Sequence, residues 1–176
     1  MTALDRHLER WVVHHRWHPL DEVFVWLSRV GTWGALWLVL GLLLAAGLRR
    51  PRLLLMVVLA DALADGGASL LQWATGVKRP PSRYPEPPAL VHVPHAGSFP
   101  SGHTATSFAC ATVLAAAVPR AAPLFYLLAL AIGFSRVYVG VHWPLDVLGG
   151  IVLGTVTALL LLAAARPLSA RSQRSG

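Results

Sequence analysis

Charge is scarce in this sequence. Only 13% of its 176 residues are Asp, Glu, Lys or Arg and 55% are hydrophobic, a balance too apolar for an ordinary soluble domain of this length. Acidic residues are fewest: eight stand against 15 lysines and arginines, leaving a net charge of +7. A basic balance often signals nucleic acid. Here the cations form short clusters between oily runs and never line one polar face, so no nucleic-acid partner is expected. One cysteine, Cys110, excludes an internal disulfide, and its apolar flanks mark it as a small core residue. The start, "MTALDRHLERWVVHHRWHPLDEVF", lacks the unbroken apolar core of a cleavable signal.

Long oily runs are what the chain does have. Five of them approach the roughly 20 residues that cross a bilayer core: Thr32 to Leu48, Leu53 to Thr75, Ser101 to Val118, Ala121 to Tyr138 and Pro144 to Ala165. The predicted fold class is therefore all-α, a polytopic transmembrane bundle of about five spans. Before them, residues 1–30 mix charges, histidines, Trp11, Trp17 and Trp26, and read as an amphipathic helix or helix pair lying at the membrane interface. Residues 76–99 are proline-rich and polar, an outer loop. Residues 166–176 form a basic tail. With no repeat and no composition break, residues 1–176 are expected to form a single membrane-embedded domain.

Arginine placement orients the bundle. Arg49, Arg50 and Arg52, then Arg120, then Arg166, Arg171 and Arg174 fall on one side if five spans alternate, and the positive-inside tendency makes that side cytoplasmic. The expected location is the plasma membrane. The other ends carry the polar residues: Arg79, Ser101, His103, Arg136, His142 and Asp146 all fall at outer ends, where they can meet in one pocket.

Each of these suits a phosphate. Guanidinium forks at Arg79 and Arg136 match phosphate oxygens and stay charged. A helix opening at Ser101, Gly102 and His103 offers free amides and a positive dipole end. His142 and Asp146 are four apart, one turn on one helical face, so the carboxylate can hold one ring nitrogen's proton and leave the other nitrogen nucleophilic. His103 can protonate a leaving oxygen. No metal and no cofactor is required by this set.

The residues Pro100-Ser101-Gly102-His103 and "SRVYVGVHWPLD", Ser135 to Asp146, resemble the second and third signature motifs of the type 2 phosphatidic acid phosphatase (PAP2) superfamily, membrane relatives of vanadium haloperoxidases. The resemblance implies a helical bundle and metal-independent hydrolysis of a lipid phosphate or polyprenyl diphosphate through a phosphohistidine. By it, His142 is the nucleophile, Asp146 its orienting partner and His103 the general acid. Arg79, Arg136, Ser101 and the Gly102 amide would hold the phosphoryl oxygens. The first motif, Lys-x6-Arg-Pro, departs: seven residues before Arg79 stands Gln72, which brings no charge, and Lys78 is the nearest replacement. The implied partners are the lipid phosphate substrate and membrane lipids; oligomeric state is open. A transporter or a non-catalytic lipid-binding protein are the alternatives.

Other features have plainer readings beside functional ones. Asp61, Asp65, Ser69 and Gln72 form a stripe on one helical face, suited to hydrogen bonds between helices, or else to a proton path or substrate contact. "HHRWH", His14 to His18, reads as an interfacial cluster and not a metal site. His92 and His95 are solvated or touch a headgroup. Gly150 and Gly154 fit a small-residue packing seam.

Overall fold

The computed structural model describes residues 2–165, and every regular element among them is helical. The helices are α1 (Ala3–His14), α2 (His18–Val30), α3 (Ala35–Gly47), α4 (Pro51–Thr75), α5 (Gly102–Ala117), α6 (Ala122–Tyr138) and α7 (Pro144–Ala164). Local chemistry sets their ends. Proline opens α4 and α7, where its missing N–H costs nothing. Gly76 closes α4 in the left-handed region at φ 58°. The basic tail with Arg166, Arg171 and Arg174 lies outside the described residues.

Helix α5 is the axis of the bundle. It packs against α4, α6 and α7, and from Thr104 to Leu114 every residue is buried. Its small side chains permit this, and so do glycines on α7. A Cβ on Gly150 would sit 2.7 Å from the Ser101 carbonyl oxygen, and one on Gly154 would sit 2.1 Å from that of Ala105. The expected small-residue seam therefore joins α7 to α5, bringing Asp146 at the head of one helix beside Ser101 at the head of the other. Cys110 is buried in this core, its thiol directed at the Val57 carbonyl.

Among the described residues, three stretches are by themselves long and apolar enough to cross a membrane, Pro51–Ser82, Pro119–Tyr138 and Pro144–Ala164, with a fourth if α2 and α3, bent by 64°, count as one. Two of the expected spans are shorter than drawn. Residues Thr32–Gly34 form a separate 3-10 turn, leaving α3 with 13 residues. Helix α5 has 16, and it is enclosed by the other helices.

The N-terminal segment is a helix pair, as expected, but α1 is docked on protein. Its buried residues are Asp5, Glu9 and Val13, a stripe at intervals of four, while Leu4, Leu8 and Trp11 face outward. The acidic stripe is buried because α7 begins with unpaired amides: Asp5 Oδ1 accepts from the Leu145 N–H at 2.8 Å. Arg16 extends the attachment, donating through Nε to the Tyr138 carbonyl and through Nη1 to that of Pro88, each at 2.8 Å.

Burial pushes the Glu9 carboxyl up to about 7 from an ordinary 4.5, against the pull of Arg10 and Arg16. Because the folded value exceeds the unfolded one, Glu9 favours folding below pH 4.5, and that advantage is lost as pH rises through 7. Glu9→Gln is expected to remove this slope. In paired thermal melts of detergent-solubilised protein, the variant should gain a few degrees on the native chain between pH 5 and pH 8; parallel melting curves would contradict it.

Candidate active site

The centre of the site is His142, in the short link between α6 and α7, 2% exposed. Arg79, just past the end of α4, donates through Nη1 to His142 Nε2 at 2.9 Å. A guanidinium can only donate, so Nε2 is the unprotonated nitrogen and the ring proton resides on Nδ1. Asp146, one turn into α7, takes that side of the ring, with Oδ2 3.2 Å from Nδ1. Burial, then Arg79 and Arg136, hold the His142 pKa well below its ordinary 6.5, with a bond to the Ser98 backbone acting the other way. The ring is thus kept neutral.

Arg79 is fixed by carbonyls. Its Nε donates to Ala96 at 3.1 Å, Nη1 to Val141 at 3.1 Å and Nη2 to Gly97 at 3.0 Å. This basket ties the loop before α5 to the link before α7. Arg136, near the end of α6, is 4% exposed and donates through Nη1 to Ser28 Oγ on α2, while its Nε has no partner among the described residues.

Ser101 caps α5, its Oγ accepting from the Thr104 N–H at 3.4 Å and the Thr104 hydroxyl at 3.0 Å. Its own N–H is taken by the Asp146 carbonyl at 2.9 Å. The amides of Gly102 and His103 follow in the first turn, where a helix supplies no acceptor. His103 Nε2 lies 3.3 Å from the Thr32 hydroxyl. The ring borders a cavity of 250 Å³ lined also by Gly31, Asp61, Asp65, Gly102 and Thr106. Asp61 and Asp65 therefore meet the site on the His103 side.

Gln72 is buried and donates through Nε2 to the Pro100 carbonyl at 2.8 Å. Its visible task is to hold the approach to Ser101. Lys78 accepts the Trp143 indole N–H on its carbonyl at 2.9 Å, while its exposed side chain borders an outer groove of 730 Å³ that Gln72, Arg79, Trp73 and His95 also line. The N-terminal histidines are dispersed in local contacts: His14 with Arg10 at 2.7 Å, His15 with the Trp11 carbonyl at 2.8 Å, His18 with Asp21 at 3.4 Å. His92 and His95 are exposed, their rings edge to face.

Three participants were not anticipated from sequence. Ser98 is fully buried and donates its hydroxyl to Asp146 Oδ2. Asp5 caps α7 from 140 positions away, and Ser28 meets Arg136 from α2. The only local signal was a hydroxyl three residues ahead of Ser101 in "GSFPSGH", and nothing in that spacing shows that the chain folds back beneath Asp146.

Known proteins are similar to this chain in sequence and in fold. Undecaprenyl-diphosphatase of Sulfolobus acidocaldarius is 29% identical over 80% of this chain and 68% of its own length. Decaprenylphosphoryl-5-phosphoribose phosphatase of Mycobacterium tuberculosis is 33% identical over 77% of this chain and 75% of its own length. The chain also matches between 36% and 54% of the length of several other curated relatives. The crystal structure of Aquifex aeolicus LpxE superposes with a TM-score of 0.77 at 29% identity, covering 92% of this chain and 96% of that one. Residues 51–168 match the model of the PAP2 superfamily, and the chain belongs to that family.

Proposed function

We propose that this protein hydrolyses the phosphate ester or diphosphate of a membrane lipid at the outer face of the plasma membrane, without metal. The observation that carries the reading is the 2.9 Å bond from Arg79 Nη1 to His142 Nε2, which keeps a neutral ring nitrogen beside a fixed cation. On substrate binding that donor moves to a phosphoryl oxygen and frees Nε2. The bound phosphate's negative charge offsets the two arginines and lets His103 take up a second proton. His142 attacks phosphorus, the bond from phosphorus to the leaving oxygen breaks, and the His103 imidazolium gives that proton to the oxygen. Arg79, Arg136 and the amides of Gly102 and His103 bear the developing charge, with Ser101 fixing the helix start. Water, deprotonated by His103, then displaces His142 and releases inorganic phosphate. Asp146 keeps the Nδ1 proton in place throughout. Gln72 holds the α5 approach, and Lys78 supplies cationic charge from the outer groove.

The leaving group departs through the cavity at His103, between α4 and the junction of α2 and α3. Among substrates, a polyprenyl diphosphate carrier suits a small protein with an outward site, and the named relatives include diphosphate and phosphoribosyl lipid phosphatases. The test is phosphate release by purified protein, with EDTA present, from undecaprenyl diphosphate, phosphatidylglycerophosphate and phosphatidic acid. Release from at least one, blocked by vanadate as a mimic of the five-coordinate phosphorus, is the expected result. Silence across the panel, with vanadate failing to bind, would leave a lipid-binding or transport role.

A further inference from the structure

The carboxylate of Asp146 is unevenly used. Its Oδ1 is buried with no hydrogen-bond partner among the described residues. Its Oδ2 takes three donors: the Trp143 N–H at 2.8 Å, His142 Nδ1 at 3.2 Å, and the Ser98 hydroxyl. Ser98 Oγ also lies 3.5 Å from His142 Nδ1. The serine is held independently, its own N–H donating to the Val77 carbonyl at 2.7 Å. It is wholly enclosed, so no solvent competes for its hydroxyl. A hydroxyl that donates to the carboxylate oxygen takes part of the negative charge that would otherwise fall on the imidazole N–H.

We infer that Ser98 is a positioning residue which, by donating to Asp146 Oδ2 in competition with His142, sets how strongly the nucleophile's ring holds its protons. With the serine present, the histidine–aspartate bond is long and the ring stays a weak base, free of a second proton at moderate acidity. Without it, Oδ2 keeps the Trp143 N–H but turns more of its charge to Nδ1, the imidazolium is favoured, and Nε2 is protonated at higher pH. The groups facing His142 are Arg79 from the loop after α4, His103 from α5, Arg136 from α6 and Asp146 from α7. Asp5 from α1 faces Asp146 across Leu145. None of these is altered by changing Ser98, so a shift can be traced to its hydroxyl.

The inference rests on the reading of His142 as nucleophile, and two readouts separate them. The first is the His142 ring titration, followed by nitrogen NMR on the intact protein in nanodiscs, which needs no turnover. The second is the acid limb of kcat/KM against pH. Ser98→Ala is expected to move both up by about one pH unit, the scale of one charge-assisted hydrogen bond; Ser98→Thr, which keeps the hydroxyl, should leave both in place. An NMR titration unchanged in Ser98→Ala overturns the inference, even if kcat falls, because a purely structural serine would lower activity without moving the ring. If the ring shifts while the kinetic limb stays, the coupling stands and the assignment of His142 as nucleophile fails.

Discussion

Replacing His142 with alanine is expected to lower phosphate release by about 10⁴-fold or more, the scale seen when a covalent nucleophile is deleted. The residual rate would come from phosphate binding by Arg79, Arg136 and the first turn of α5. The deletion is chemically selective. His142 sits in the link between α6 and α7, outside the apolar cluster around Trp37, Val57 and Leu114, so helix content should be little changed. Mixing the native enzyme with phosphorus-labelled lipid and quenching in alkali, where phosphohistidine survives, should leave label on the protein; His142→Ala should carry none. Native turnover in the variant would remove His142 from the chemistry altogether.

Arg79→Ala should reduce kcat/KM by about 10³-fold, through two routes that add. The variant loses the donor that passes from His142 Nε2 to the phosphoryl oxygen. It also strands the carbonyls of Ala96, Gly97 and Val141, which the guanidinium now satisfies. Arg79→Lys should recover little, since an ammonium on a flexible stem cannot reproduce a planar fork that meets the ring and three carbonyls together. A further sign accompanies the loss. Arg79 lowers the His142 pKa, so the acid limb should move upward when the cation is gone. A loss of activity with the limb unmoved would mean Arg79 acts on the loop alone.

The residues with sequence signatures were those whose partners lie within one helical turn. His142 and Asp146 are four apart, and the structure joins them; Ser101 heads an apolar run, and it caps α5. Arg79 was legible through its motif, although not its carbonyl basket, whose members come from two separate links. What stayed hidden depended on chain reversal. Ser98 reaches Asp146 because residues 96–98 turn back under α7, and Asp5 reaches Leu145 because α1 folds over the bundle end; neither contact has a period to betray it. Hydropathy marked α5 as apolar and could not show that other helices enclose it on every side. An amphipathic pattern likewise left open which face of α1 meets protein: the buried face is the acidic one, and the leucines face outward.

The seam between α5 and α7 carries a further consequence. Where Gly150 and Gly154 press on the backbone of the neighbouring helix, the gap between α5, which bears His103, and α7, which bears Asp146, is gauged by hydrogen atoms alone. Such a gauge has nothing to titrate and nothing for salt to screen. Shifts in ionic strength or in headgroup composition can therefore retune how substrate arrives while the spacing of the reacting groups stays the same.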